Sequence, residues 1–313
     1  MQMKKLFGSR RKKIKDSEIL YAGTARNVAE FIESEVNLFN YCLRDFKKIY
    51  GLIIESDSSD GTLKKLEQLK ESNPNFSYIS FGSLSKKMTK RTERLAYCRN
   101  KIVQELRSNP KYQGVDYVAL ADLDGVNSEL TPEKISQCWL VEEDWDVITA
   151  NQGDVYYDIW ALRHSDWCPV DCMEQSRNLN ALFDEKTSLT LAVQSRSVHL
   201  DSNKGLIPVN SAFGGFAIYK REAYLSGEYV GLNAQGKEVV EHVAFHQALR
   251  AHGYEIYINS ALVNCGKPPE VRPHPIEPKV RTSFSLGVIQ SLGNHIFGKK
   301  RFNKYLEMLK NEQ

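Results

Sequence analysis

Residues 117–127 read Tyr-Val-Ala-Leu-Ala-Asp122-Leu-Asp124-Gly125-Val-Asn127, an apolar run ending in two carboxylates one residue apart and a glycine. A short apolar run suits a buried strand. Alternate side chains of a strand share a face, so Asp122 and Asp124 can project together beyond its carboxyl end. Two hard oxygen ligands placed there can hold Mg2+ or Mn2+ against a phosphate, which makes phosphate handling the leading chemistry. An EF-hand loop fits the same string poorly. Counted from Asp122, Val126 holds the fifth place, Asn127 stands where the invariant glycine belongs, and the flank is a strand rather than a helix.

The elements that must position this pair alternate strand-like and helix-like, as in an α/β layer fold. Strands are predicted at 19–23, 48–55, 76–81, 117–121, 146–150, 209–219 and 254–258. Val28, Phe31, Ile32, Val36, Phe39 and Leu43 share one helical face. Ser56-Asp57-Ser58-Ser59-Asp60-Gly61-Thr62 is a polar loop suited to cap the helix that follows, 63–69. A basic linker, Lys86, Lys87, Lys90 and Arg91, leads to a helix carrying Arg94, Arg99 and Asn100. Another helix starts near Glu238 and runs to Gly253. From Gly153 to Leu206 the periodicity weakens, as in a long functional loop. Prolines after residue 267 mark an extended segment, and an amphipathic helix is expected at about 284–310.

Apolar and charged fractions of 42% and 26% are ordinary for a soluble protein, and a net charge of +3 gives no argument for nucleic acid. The basic residues crowd the ends: Lys4, Lys5, Arg10–Lys13 and Lys15 at one, Lys299–Arg301 and Lys304 at the other. No apolar stretch has the length of a bilayer span, and no apolar core follows the basic start as in a secretory signal. The expected location is cytoplasmic, with basic termini suited to peripheral contact with the inner face of a membrane. Cysteines at 42, 98, 138, 168, 172 and 265 lack the paired spacing of a zinc site and read as reduced thiols.

Two enzyme families write this carboxylate string. Ala121–Val126 resembles the first motif of haloacid-dehalogenase-type phosphatases, which implies Asp122 as nucleophile and Asp124 as acid/base. Thr149 serves as the Ser/Thr of a later motif, but no later Asp-Asp or Gly-Asp-x3-Asp string follows. Several strands also precede a motif that this family usually carries on its first.

The longer resemblance, from about residue 18 to 265, is to GT-A glycosyltransferases, especially those built like family 2. Glu55–Thr62 looks like that family's Asp-x-Ser-x-Asp-Gly-Thr loop, with Glu55 where Asp is usual. The resemblance implies that Glu55 or Asp57 contacts the base or ribose. Gly23, Thr24 and Arg26 then form a turn beside the nucleotide, and Arg94, Arg99 and Asn100 lie near the nucleotide or diphosphate. An arginine's planar fork suits that task. Asp124 becomes the metal contact, and Asp122 a contact to ribose, donor sugar or metal. Phe213–Tyr219, with Gly214 and Gly215, looks like the strand passing under the donor sugar. Val240–His246 resembles the acidic start of the helix behind the acceptor. It implies Glu241 as the base that takes the acceptor's proton, charge-stabilised by the helix N-terminus, with His242 on the acceptor side.

His246, four residues on, reads as structural, since the order of a zinc-binding H-E-x-x-H helix is absent. His274 is a candidate third metal ligand. Tyr156–Arg163 is similar to a string of capsule-associated mannosyltransferases, and its Trp160 can stack on an acceptor sugar or pack in the core.

The expectation is therefore an α/β protein with a mixed, mostly parallel sheet flanked by helices. Residues 1–17 are a basic extension, 18–265 the GT-A domain (nucleotide-binding half 18–125, acceptor half 126–265), and 266–313 a proline-rich segment and helix. It would use Mn2+ or Mg2+, a nucleotide-sugar donor, and a glycan or glycolipid acceptor. Phosphatase and non-catalytic sugar-binding module are the alternatives.

Overall fold

A computed structural model of the protein describes residues 11–266. Their strands are β1 (Glu18–Ala25), β2 (Lys48–Glu55), β3 (Phe76–Ser80), β4 (Tyr117–Ala121), β5 (Val147–Gln152), β6 (Leu206–Val209), β7 (Phe216–Lys220) and β8 (Ile256–Cys265). Their helices are α1 (Ile32–Cys42), α2 (Thr62–Ser72), α3 (Arg91–Ser108), α4 (Pro132–Gln137), α5 (Cys172–Leu179), α6 (Glu185–Ala192), α7 (Arg221–Leu225) and α8 (Glu241–Ala251).

The strands form one sheet in the order β3-β2-β1-β4-β7-β5-β8-β6. β6 and β7 pair antiparallel with their neighbours, and the other six strands run in one direction. This is the mixed, mostly parallel sheet flanked by helices that the sequence predicts. Its central strands are near-continuous apolar runs because both faces are covered. Ile19, Tyr21, Tyr117, Ala119, Ile148, Phe216 and Ile218 pack with Ile32, Val36 and Phe39 of α1. Leu20, Ala22, Val118 and Leu120, one residue out of phase, are equally buried and lie outside that cluster. Strand alternation puts them on the opposite face, where α3 meets β1 and β2 and groups with α7 and α8.

Val170–Ser197 belongs to a second compact unit. There α5 and α6 pack through Leu179, Phe183, Leu191 and Ala192. Asp171 and Asp184 accept backbone N–H bonds at the two helix starts. These are the elements missed by reading 153–206 as weakly periodic. Each is only eight residues long, too short for the pattern to rise above its polar surroundings.

Two further boundaries differ from expectation. The predicted strand at 209–219 is two strands, β6 and β7, separated by a turn in which Gly214 and Gly215 have φ of +69° and +83°. Two successive left-handed residues cannot continue a strand, and glycine is the residue that takes them without strain. The strand expected at 254–258 is β8, which continues to Cys265 because it pairs with both β5 and β6. The expected helix at 284–310, His274 and most of the basic extension lie outside the described residues.

Gly51 sits in β2 where a Cβ would overlap the Tyr21 ring and stand 2.8 Å from Phe76 Cδ2. Gly51→Ala should therefore destabilise the protein by about 1–3 kcal/mol, read as a lowered urea midpoint. An unchanged midpoint would show that the sheet gives way here at little cost.

Candidate active site

The carboxyl ends of β1, β2, β4, β5 and β8 share one edge of the sheet because these strands are parallel. β7 runs the other way, so its beginning, the Gly214-Gly215 turn, comes to the same edge. α8 returns the chain to the start of β8 and so also begins there, with Glu241 as its first residue. Ligands of open α/β sheets bind at such an edge.

Asp122 follows the last residue of β4, and its backbone N–H donates to Gly215 O at 2.9 Å. A Cβ on Gly215 would stand 2.8 Å from Val126, and one on Gly214 2.8 Å from Ala150 O. The glycines thus let β7's turn lie against the carboxylate turn. Arg99, from α3, reaches across with Nη2 3.5 Å from Asp122 Oδ1 and pairs through Nη1 with Glu241. The side chains of Arg99 and Glu241 keep only 6% and 4% exposure, whereas Asp122 keeps 38%. Asp124 is exposed. Arg99 also lies over the rings of Phe213 and Tyr229, at 5.6 and 5.9 Å, a favourable setting for a partly desolvated guanidinium.

The charge at this edge is unbalanced. Asp158 belongs to the same group, its Oδ2 accepting Gly214 N–H at 3.0 Å. Depth in the cleft, together with the charges of Asp124 and Asp158, pushes Asp122 up to about 7 against the pull of Arg99. Burial likewise raises Asp158 and the Tyr157 hydroxyl, the latter also facing Asp122 and Asp158. Behind the turn, Glu35 of α1 is buried and pushed up to about 7 by burial and by the nearby Asp124 and Asp122, although Asn127 hydrogen-bonds it.

The histidines of α8 are neutral. Burial, with Arg99 close by, lowers His246 to about 3 and His242 well below its ordinary value. His246 has both nitrogens engaged, by Ser211 Oγ at 2.9 Å and Tyr219 Oη at 3.0 Å, so it offers nothing to a metal. His242 is stacked on Phe213, ring centroids 4.0 Å apart, with neither nitrogen hydrogen-bonded.

Several residues expected at the ligand are instead occupied by the protein. Both oxygens of Glu55 are engaged, Oε1 by Ser58 N–H at 2.9 Å and Oε2 by the Ser80 hydroxyl, and the residue is fully buried. Asp57 Oδ1 accepts from Ser85 N and Oγ, while Oδ2 stands 3.7 Å from Arg94 Nε. Burial opposes its charge, but these partners hold Asp57 below its usual range. Arg94 donates to the carbonyls of Met88 and Thr89. Asn100 clasps the backbone N–H and C=O of Tyr229, both at 2.8 Å. These four residues shape the loops around the edge. Gly23 lets β1 approach the end of β4, since a Cβ would stand 2.6 Å from Ala121 O.

Arg26 is exposed and Thr24 half-buried near the same edge, beside a turn stitched to the β2–α2 loop by Asn27–Ser59 and Val28–Thr62 hydrogen bonds. Trp160 is half-buried, with its carbonyl accepting from Arg163. The structure thus gathers Asp122, Asp124, Arg99, Glu241, His242, Gly214 and Gly215 at one place. It adds Asp158, Tyr157, Phe213 and Tyr229, which the sequence reading did not single out as site residues.

No protein-family model matches the sequence, and no curated protein matches it. Among solved structures it is similar to a mannosyltransferase of Pyrobaculum calidifontis in complex with GDP-Man and Mn2+, at 13% identity and a TM-score of 0.45, over 84% of this chain and 61% of that one. It is also similar to S. aureus TarS with UDP-GlcNAc, at 13% identity and a TM-score of 0.43, over 81% and 60%. A third is glucosyl-3-phosphoglycerate synthase of Mycobacterium tuberculosis with UDP, at 12% and 0.40, over 92% and 80%. The chain spans about three fifths of the first two. With scores below 0.5, the likeness is too slight to bear on function.

Arg99→Met would leave the Glu241 carboxylate buried without its partner, a loss of about 3–5 kcal/mol. The double variant with Glu241→Gln should recover much of it. Urea unfolding checks both, and a single-variant loss below about 1 kcal/mol would contradict the ion pair. Glu35 gives a pH prediction. Its carboxyl holds a proton more tightly folded than unfolded, so its contribution to stability falls as pH rises from about 4 towards 7. Glu35→Gln, which keeps an acceptor for Asn127, should gain on the wild type across that window and hold the gain above it. Paired thermal melts at pH 5 and 8 read the difference.

Proposed function

We propose that the protein is a metal-dependent glycosyltransferase of the GT-A type. It would move a sugar from a nucleotide-diphosphate donor to a hydroxyl of a growing surface glycan, such as capsule or lipopolysaccharide. The observation that carries this reading is the Asp122–Asp124 pair at the end of a central strand, where the one nearby buried cation among the described residues, Arg99, is already shared with Glu241.

Among the described residues no group of three or more His, Cys, Asp or Glu could hold a metal. Two carboxylates nonetheless fit Mg2+ or Mn2+, which bind through one or two carboxylates and complete their shells with water and phosphate oxygens. The surplus negative charge around Asp122 fits as well. When bound, such an ion neutralises charge on the departing diphosphate. Asp124, being exposed, would hold it, and Asp122 would hold it or orient the donor.

Gly214 and Gly215 allow a donor sugar to approach the backbone closely. Arg94 is engaged elsewhere, so Arg91 supports the diphosphate in this reading. It is exposed at the first position of α3 and makes no ion pair within 4 Å among the described residues. Glu241 fixes Arg99 in the present geometry, and it can take the acceptor proton once the guanidinium turns to the diphosphate. Tyr156–Arg163, in the loop after β5, supports a glycan acceptor through its aromatic content, with Trp160 half-buried there.

The test is release of nucleotide from UDP-, GDP- and CMP-sugars with Mn2+. Asp124→Ala should lower the rate more than about a hundredfold, since a metal supplies several kcal/mol of charge stabilisation. Arg91→Ala should weaken nucleotide binding without altering the thermal midpoint. Hydrolysis of simple phosphoesters with an aspartyl adduct on Asp122 would instead establish the phosphatase, and nucleotide binding without turnover a binding module.

A further inference from the structure

We infer that Asn127, Asn264 and Gln152, braced by Glu35, are positioning residues that set the Asp122–Asp124 turn against the Gly214-Gly215 turn; this rests on the metal site proposed above. The three amides are fully buried and Glu35 is 3% exposed. They come from the loop after β4, from β8, from β5 and from α1. Asn127 Nδ2 donates to Asp122 O at 2.8 Å and to Glu35 Oε2 at 3.3 Å. Its Oδ1 accepts from Asn264 Nδ2 at 3.1 Å, and that same amide donates to Gly214 O at 2.8 Å. Gln152 Nε2 donates to Gly214 O at 3.0 Å and to Asn264 Oδ1 at 3.2 Å. Asp122 N–H to Gly215 O closes the ring.

Asp122 is therefore gripped at both its N–H and its C=O, and both grips end on the glycine turn. Part of the arrangement serves stability, because the amides satisfy the main-chain carbonyls of Asp122 and Gly214, which an apolar filling would leave without these donors. What the ring adds is a fixed direction for the backbone that carries the carboxylates. Outer hydrogen bonds of this kind commonly govern metal affinity tenfold to a hundredfold.

The experiment is titration of Mn2+ by electron paramagnetic resonance on wild type, Asn127→Leu, Asn264→Leu, their double variant and Asp124→Ala, with a thermal melt of each. Each leucine variant should bind Mn2+ about tenfold to a hundredfold more weakly. The double should be little worse than the poorer single, because both break one ring. Should leucine prevent folding, Asn264→Ser removes the same donor with a smaller disturbance. Folded variants with a lowered melting temperature but wild-type Mn2+ affinity would overturn the inference and leave the metal site standing. A wild type that binds no Mn2+ would overturn the metal site and the inference with it.

Discussion

The structure of the site depends on one guanidinium between two carboxylates. Arg99 joins α3 to α8 through Glu241 and to the end of β4 through Asp122. Because Arg99 and Glu241 are almost fully buried, the pair is held by a low dielectric and neither member is easily replaced. Its effect on Asp122 is weaker, across 3.5 Å and in a part-open setting. One positive charge therefore serves two negative ones, with Asp124 and Asp158 beyond, and the edge remains acidic. That residual charge is the physical reason to expect a divalent cation.

The rest of the edge holds this arrangement still. The two glycines accept backbone conformations that other residues avoid, and in doing so give Asp122 a backbone partner. Phe213 stacks on His242, and Tyr229 stacks on Phe245 at 4.0 Å, so the wall beside Arg99 is aromatic and closely packed. Asn100 fixes the loop that presents Tyr229. These supports fix the backbone turns and the aromatic wall on which the charged groups of the edge are mounted.

Much of this was legible in the sequence. The apolar run at 117–121 is β4, and the carboxylates follow it as alternation predicts. The local pattern also places a helix start near Glu238, three residues before the observed one, but it puts Gly214 and Gly215 inside a strand rather than in a turn. What could not be read is which side chains face one another across the fold. Arg94, Arg99 and Asn100 share a helix and a chemistry, yet one serves a loop, one an ion pair, and one a backbone 129 residues away. Glu55 and Asp57 look like ligand contacts by type and spacing, while neighbouring hydroxyls and N–H groups engage both oxygens of Glu55 and the Oδ1 of Asp57. The amide ring is also hidden, since its members lie far apart in the chain. Its one local sign is the amides near the carboxyl ends of two strands, Gln152 in β5 and Asn264 in β8, and these strands carry other buried polar residues, Asn151 and Asn259 among them.

The central claim is that the Asp122–Asp124 edge binds a divalent cation and a nucleoside diphosphate together. The most direct measurement is calorimetric titration of UDP and GDP with and without Mn2+, and of Mn2+ with and without each nucleotide. Because a shared cation would take ligands from both protein and diphosphate, each partner should tighten the other by the same factor, and Asp124→Ala should abolish that coupling. Nucleotide affinity unchanged by Mn2+, or coupling that survives in Asp124→Ala, would contradict the account.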